Sequence, residues 1–123
     1  MTTTRLDVRV RPRGHLGVLD LAGDIDAGAD AALERAYAEA RRGATAILLN
    51  FADVAYVNST GIALIVGLLA KARRDHIEVR SAGLSDHYRE IFEITRLADF
   101  MELYPDEESA VAAGRAAEQG GKR

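Results

Sequence analysis

The chain opens on an alternation. Leu6, Val8 and Val10 are separated by Asp7, Arg9 and Arg11, the period-two pattern of a strand with one wet face. Pro12-Arg13-Gly14 is a turn signal, and Leu16 to Leu21 reads as a second strand. So short a connection predicts an antiparallel hairpin, because a parallel pair needs a long crossover. Gly23-Asp24-Ile25-Asp26 then breaks the strand pattern ahead of a helix. Ala29, Ala32, Leu33, Ala36, Tyr37 and Ala40 recur at helical spacing. That stripe is mostly alanine, so Leu33 and Tyr37 carry most of its anchoring. Arg41 and Arg42 suit the negative end of the helix dipole, and Gly43 is a stop signal.

Ala46 to Phe51 is a nearly continuous apolar run, expected of a central strand buried on both faces. A short loop, Asp53 to Asn58, leads into a long apolar helix predicted over Ile62 to Arg74. Ile62, Ile65, Val66 and Leu69 form its stripe, with Leu64 and Leu68 off it. Gly67 costs about 1 kcal/mol against alanine inside a helix, so it is expected to mark a close approach by a neighbouring element. Ile77 to Arg80 reads as a short strand, and Ala82-Gly83 as a turn. Ser85 is expected to cap a third helix whose inner stripe is Tyr88, Ile91, Phe92 and Thr95. Phe100 to Tyr104 reads as a last strand. Pro105-Asp106 then opens a final helix to Ala117, with Val111 as its large apolar residue. Residues 118–123 are expected to be a disordered tail. The alternation predicts a single α/β domain over residues 1–117. Its mixed sheet should have roughly four to five strands, with about four helices packed mainly on one side. Leu33, Leu48, Ile65 and Phe92 are expected inside.

Composition narrows the function. At 123 residues the chain suits one domain. A formal net charge of −3 with both signs mixed argues against a dedicated nucleic-acid binder. The absence of cysteine excludes disulfides and thiolate chemistry and is compatible with a reducing compartment. The longest apolar run, Ile62 to Ala70, is too short to span a bilayer. Met1 to Arg13 lacks the apolar stretch of a signal peptide. The expectation is a cytoplasmic protein with neither nucleic acid nor membrane among its partners.

Little in the chain supports catalysis. His15, His76 and His87 fall in separate elements, without metal spacing to other ligands. Ser85-Asp86-His87 are helix neighbours that point in different directions and cannot form a relay. No phosphate-loop, dinucleotide or nucleophile-elbow spacing occurs, so neither a cofactor nor enzyme activity is expected. Asp24 and Asp26 share a face of an extended segment, where surface or capping roles fit best, Asp26 capping the first long helix. There remains Tyr56-Val57-Asn58-Ser59-Thr60-Gly61. Asn58, Ser59 and Thr60 are helix-capping residue types. A hydroxyl at the positive end of a helix is well placed to carry a phosphate.

Gly23-Asp24-Ile25-Asp26, the strand Ile47 to Phe51, and Val57-Asn58-Ser59-Thr60-Gly61-Ile62 together resemble the STAS domain. That family covers sulfate transporters and anti-sigma factor antagonists, and the chain looks most like the free-standing bacterial antagonists. Leu84 to Leu97, Phe100 to Tyr104 and Asp106-Glu107-Glu108 extend the resemblance over about Leu6 to Ala113. It implies a mixed sheet with helices mainly to one side, and no catalysis. It also implies a partner switch. The unphosphorylated protein binds an anti-sigma factor that is also a serine-protein kinase, phosphorylation releases it, and a phosphatase resets it. By position the acceptor is Ser59, with Thr60 as its substitute. Asp24, Asp26, Asn58, Ser59, Thr60 and Gly61 are the implied partner-binding residues of a monomer or weak dimer. The usual loop has Asp where this chain has Asn58, which keeps the capping geometry but not the charge. Two other readings stay open. One is a non-phosphorylated scaffold or accessory subunit of a larger complex. The other is a regulatory domain holding a small ligand or nucleotide at the same helix terminus.

Overall fold

The computed structural model describes residues 5–120, with side chains through Ala113. β1 (Asp7–Arg13) and β2 (Leu16–Ile25) form the expected antiparallel hairpin. β3 (Ala46–Val57), β4 (Glu78–Ala82) and β5 (Glu102–Tyr104) follow, each parallel to the strand before it. The result is a five-stranded mixed sheet in the order β1-β2-β3-β4-β5. Helices α1 (Asp30–Ala40), α2 (Ser59–Arg74), α3 (Asp86–Ile94) and α4 (Glu107–Gly120) complete it. The backbone of α4 runs to Gly120, past the expected end at Ala117, and the rest of the expected tail, residues 121–123, lies outside the described residues.

Strand alternation divides the apolar residues between two faces. Leu19, Ile47, Leu49, Phe51 and Val79 meet α1, α2 and α3 in a large core that includes Leu33, Ile65 and Phe92. Val18, Leu48 and Ala82 face the other way and meet Ala110 and Val111 of α4. All four expected core residues are buried.

Several boundaries differ from the sequence expectations. Gly23-Asp24-Ile25 does not leave the strand. It stays in β2, with register irregularities between Asp20 and Ala22 and between Gly23 and Asp24, opposite Val54, Tyr56 and Val57 of β3. The segment from Asp53 is likewise strand, not loop. β4 pairs with β3 only as far as Asn50, so the ends of β2 and β3 continue beyond it as a two-stranded extension in which the β3 strand is mostly exposed from Ala52 to Tyr56. α2 starts at Ser59, earlier than expected. Its buried face is Gly61, Ile65, Leu68, Leu69 and Ala72, so Leu68 replaces Val66, which is 48% exposed. Gly67 has open space where a Cβ would be. The close approach occurs at Gly61 instead, where an added Cβ would lie 1.9 Å from the Ile25 carbonyl oxygen. Thr95 is an exposed C-cap whose hydroxyl donates to the Ile91 carbonyl at 2.7 Å. Phe100 lies outside β5 because a 3-10 turn, Leu97–Asp99, intervenes. β4 is shifted to Glu78–Ala82 from the expected Ile77 to Arg80.

Candidate functional site

Parallel pairing brings the C-terminal ends of β2 and β3 together. Asp24 lies opposite Tyr56, and Ile25 opposite Val57. The Asn58 backbone N–H then donates to the Ile25 carbonyl at 3.2 Å. Two stretches remote in sequence, Gly23 to Asp26 and Tyr56 to Gly61, therefore share one rim of the sheet.

Asn58 begins the helix. Its backbone is extended, with φ −99 and ψ −177, and its side-chain carbonyl accepts the Gly61 N–H at 2.8 Å. That bond satisfies one of the backbone donors left unpaired at a helix start. Ser59 is the first helical residue, and both it and Thr60 are exposed. Gly61 is buried against Ile25, at a distance that leaves no room for a side chain. The Asp26 carboxylate caps the 3-10 turn Ala27–Ala29, accepting the Gly28 N–H at 2.9 Å. It thus starts the turn that leads into α1, one step before the helix that sequence reasoning gave it. Asp24 is half-buried on β2, and Tyr56 across from it is 50% exposed.

The structure adds Tyr88, which the sequence suggested only as a core residue. Its hydroxyl accepts the Val57 N–H at 3.0 Å, tying α3 to the strand end just before the loop. A tyrosine on a half-buried helical stripe needs a partner for its hydroxyl, and that requirement was the available signal.

Charge along α2 is asymmetric. Its first turn holds no acidic side chain, and its last turn holds Lys71, Arg73 and Arg74. With a neutral asparagine as cap, nothing in the helix itself offsets the partial positive charge at its N-terminus. Asp24 and Asp26 lie on the β2 side of the same rim. Among the described residues, no group of three His, Cys, Asp or Glu could hold a metal ion. Among them, too, no helix is long and apolar enough to cross a membrane.

The rim therefore presents an exposed hydroxyl at a helix N-terminus, fixed by backbone contacts to the strand end that carries Asp24 and Asp26. Comparison with known proteins gives this arrangement a context. The family model of the STAS domain matches residues 6–110. The anti-sigma-B factor antagonist of Staphylococcus aureus is 33% identical over 99 residues, covering 80% of this chain and 92% of that protein. Among solved structures, an anti-sigma factor antagonist from Mycobacterium paratuberculosis matches with a TM-score of 0.72 at 22% identity, over 89% of this chain and 94% of that one. The Bacillus cell fate determinant SpoIIAA, solved in the phosphorylated form, matches with a TM-score of 0.66 at 20% identity, over 87% and 98% of the two chains. At these identities the structural likeness speaks for the fold.

Proposed function

The chain belongs to the STAS domain family, and from that premise we propose that it is an anti-sigma factor antagonist switched by phosphorylation of Ser59. The antagonists named among its relatives support this reading. The observation that carries it is local. Asn58, not Ser59, caps α2, and Ser59 is exposed beside it. Its hydroxyl is available for modification without dismantling the helix start.

The physics of the switch follows. A phosphoserine adds about −1.5 to −2 charge at neutral pH. On Ser59 that charge meets the positive end of α2, so the fold survives. A partner pressed on the rim would have to desolvate the same charge, which opposes binding. The partner in this reading is an anti-sigma factor that is itself a serine kinase, and a phosphatase resets the protein. Asp24, Asp26, Asn58 and Thr60 supply the rest of the contact surface, while Gly61, expected there from the sequence, is buried against Ile25 and holds the loop to β2 instead. In this reading the chain acts by binding and not by catalysis, as a monomer or weak dimer in the cytoplasm.

The experiment pairs the purified chain with its cognate anti-sigma factor. Ser59→Asp is expected to weaken the complex at least tenfold, about 1.4 kcal/mol, with an unchanged melting temperature. Ser59→Ala should keep binding and resist ATP-dependent phosphorylation. Asn58→Asp should speed phosphorylation if the kinase reads a carboxylate there. Wild-type affinity in Ser59→Asp would sink the switch.

A further inference from the structure

A cleft of about 310 Å³ lies between the outer flank of α2 and the chain joining α3 to β5. Its walls are Val66, Leu69 and Ala70 on one side, and Leu97 and Phe100 on the other. The backbone creates it. Arg96 adopts a left-handed conformation, φ 71, and starts the 3-10 turn Leu97–Asp99. That turn buries Leu97 and leaves Phe100 56% exposed. Val66 across the gap is 48% exposed. Two large apolar side chains thus border a concave apolar surface, which is unusual where water is the only neighbour.

Three polar side chains stand at its mouth: Arg73, Thr95 and Arg96. Two are engaged. The Thr95 hydroxyl donates to the Ile91 carbonyl, and the Arg96 guanidinium holds Asp99 at 2.6 Å. Arg73 is exposed and makes no ion pair with a described residue. It stands with Lys71 and Arg74 in the last turn of α2, where three cations outweigh the partial negative charge of the helix end.

We propose that this cleft binds a medium-chain alkyl carboxylate, with its tail between Val66, Leu69, Leu97 and Phe100 and its carboxylate on Arg73. The volume falls at the small end of the range of about 300–1,000 Å³ typical of small-molecule sites, and apolar walls with one charged group are their usual lining. A nucleotide does not fit this chemistry, because nothing in the apolar walls reads a base or sugar. The neighbouring cleft shares Leu69, Arg73 and Phe100 but is bordered by Glu78, Asp99 and Glu102. Those carboxylates disfavour an anionic head on that side, and the cleft beside Val66 has no carboxylate in its lining. Arg73 stands fourteen residues beyond Ser59, about 21 Å along the helix. The site therefore does not depend on the proposed switch and does not overlap its surface.

The test is an amide NMR titration of the full chain with hexanoate, octanoate, decanoate and decanol, each below its aggregation threshold. Saturable shifts are expected at Val66, Ala70, Arg73, Leu97 and Phe100, with Ser59 and Thr60 unmoved. Affinity should rise about fourfold per methylene until the cleft is full. Arg73→Gln should weaken decanoate about tenfold and leave decanol unchanged, since the charged contact alone is lost. Ala70→Trp, at an exposed helix position, should fill the cleft and abolish both. The proposal is overturned if no shift saturates, if the shifts centre elsewhere, or if Arg73→Gln leaves decanoate binding unchanged. Shifts that grow with protein concentration without ligand would mean that a second copy of the chain covers the patch, and would overturn it equally.

Discussion

The two faces of the sheet are held by different physics. On one face, three helices press large side chains into a continuous apolar core. Phe92 is fully buried there, its ring meeting Phe51 edge-on at 5.6 Å between centroids. On the other face α4 lies over Leu16, Val18, Leu48 and Ala82 and, among its described side chains, contributes Ala110 and Val111. The start of α4 is also tied down by charge. Arg11 reaches Asp20 at 2.6 Å and Glu107 at 2.5 Å, and Arg13 reaches Glu107 at 2.6 Å. Asn50 also donates to Asp20, at 2.8 Å. The Arg11 guanidinium is the main reason both the Asp20 and the Glu107 carboxyls are held below their ordinary range. The thick face is secured by burial, which is indifferent to pH, and the thin face by an ion network, which is not.

The largest expected effect tests the thick face. Phe92→Ala should cost about 3–5 kcal/mol, as aromatic truncations in packed cores do, read from denaturant unfolding. Leu48→Ala tests the thin face. It should cost about 2–5 kcal/mol, toward the lower end because α4 is free to settle into the space. If Leu48→Ala proves as costly as Phe92→Ala, the thin face is a rigid core and the contrast fails.

Glu107→Gln should cost only about 0.5–1 kcal/mol at neutral pH, the scale of partly exposed ion pairs. Its pH dependence matters more than its size. A carboxyl whose folded pKa lies below its unfolded one contributes stability that is fully present above the unfolded value. That contribution is lost as pH falls through the folded value. The gap between wild type and Glu107→Gln should therefore close between neutral pH and the acidic side of the ordinary carboxylate range. A gap that persists at low pH would mean that packing, not charge, holds α4. The smallest perturbation is none at all. Hydrogen exchange on the unmodified chain should show α4 amides opening at lower free energy than those of α2 and β3. Equal protection would erase the distinction between the faces.

Local signals in the sequence were read correctly where local physics decides. The hairpin follows from alternation around Pro12-Arg13-Gly14. Ser85 caps α3 as expected, accepting the Tyr88 N–H at 3.2 Å, because capping depends on a few neighbouring residues; for α2 the sequence offers Asn58, Ser59 and Thr60 alike, and the structure selects Asn58. The loop at Ser59 was legible as a type of site for the same reason. The failures have a common cause. α2 is apolar nearly all round, so periodicity could not choose between Val66 and Leu68. Gly61 and Gly67 lie in the same helix, and only the arrival of β2 makes one of them indispensable. The outer half of β3 pairs with β2 alone, and Asp53 separates Val54 to Val57 from the apolar run before it, so only the pairing shows that the strand continues.

By itself, then, the sequence determined the α/β alternation, the order of the main strands and helices, and a cluster of capping residue types, Asn58 to Thr60, ahead of the long apolar helix. Each of these depends on residues within a turn or two of one another, where propensity, capping and period act directly. Only the tertiary structure decided that Asp24 and Asp26 share a rim with Ser59, that Tyr88 ties α3 to Val57, and that Arg73 borders an apolar cleft with Phe100. Those placements depend on strand register and helix packing between remote segments. Their energy comes from buried surface that no stretch of the chain has until the others are in place.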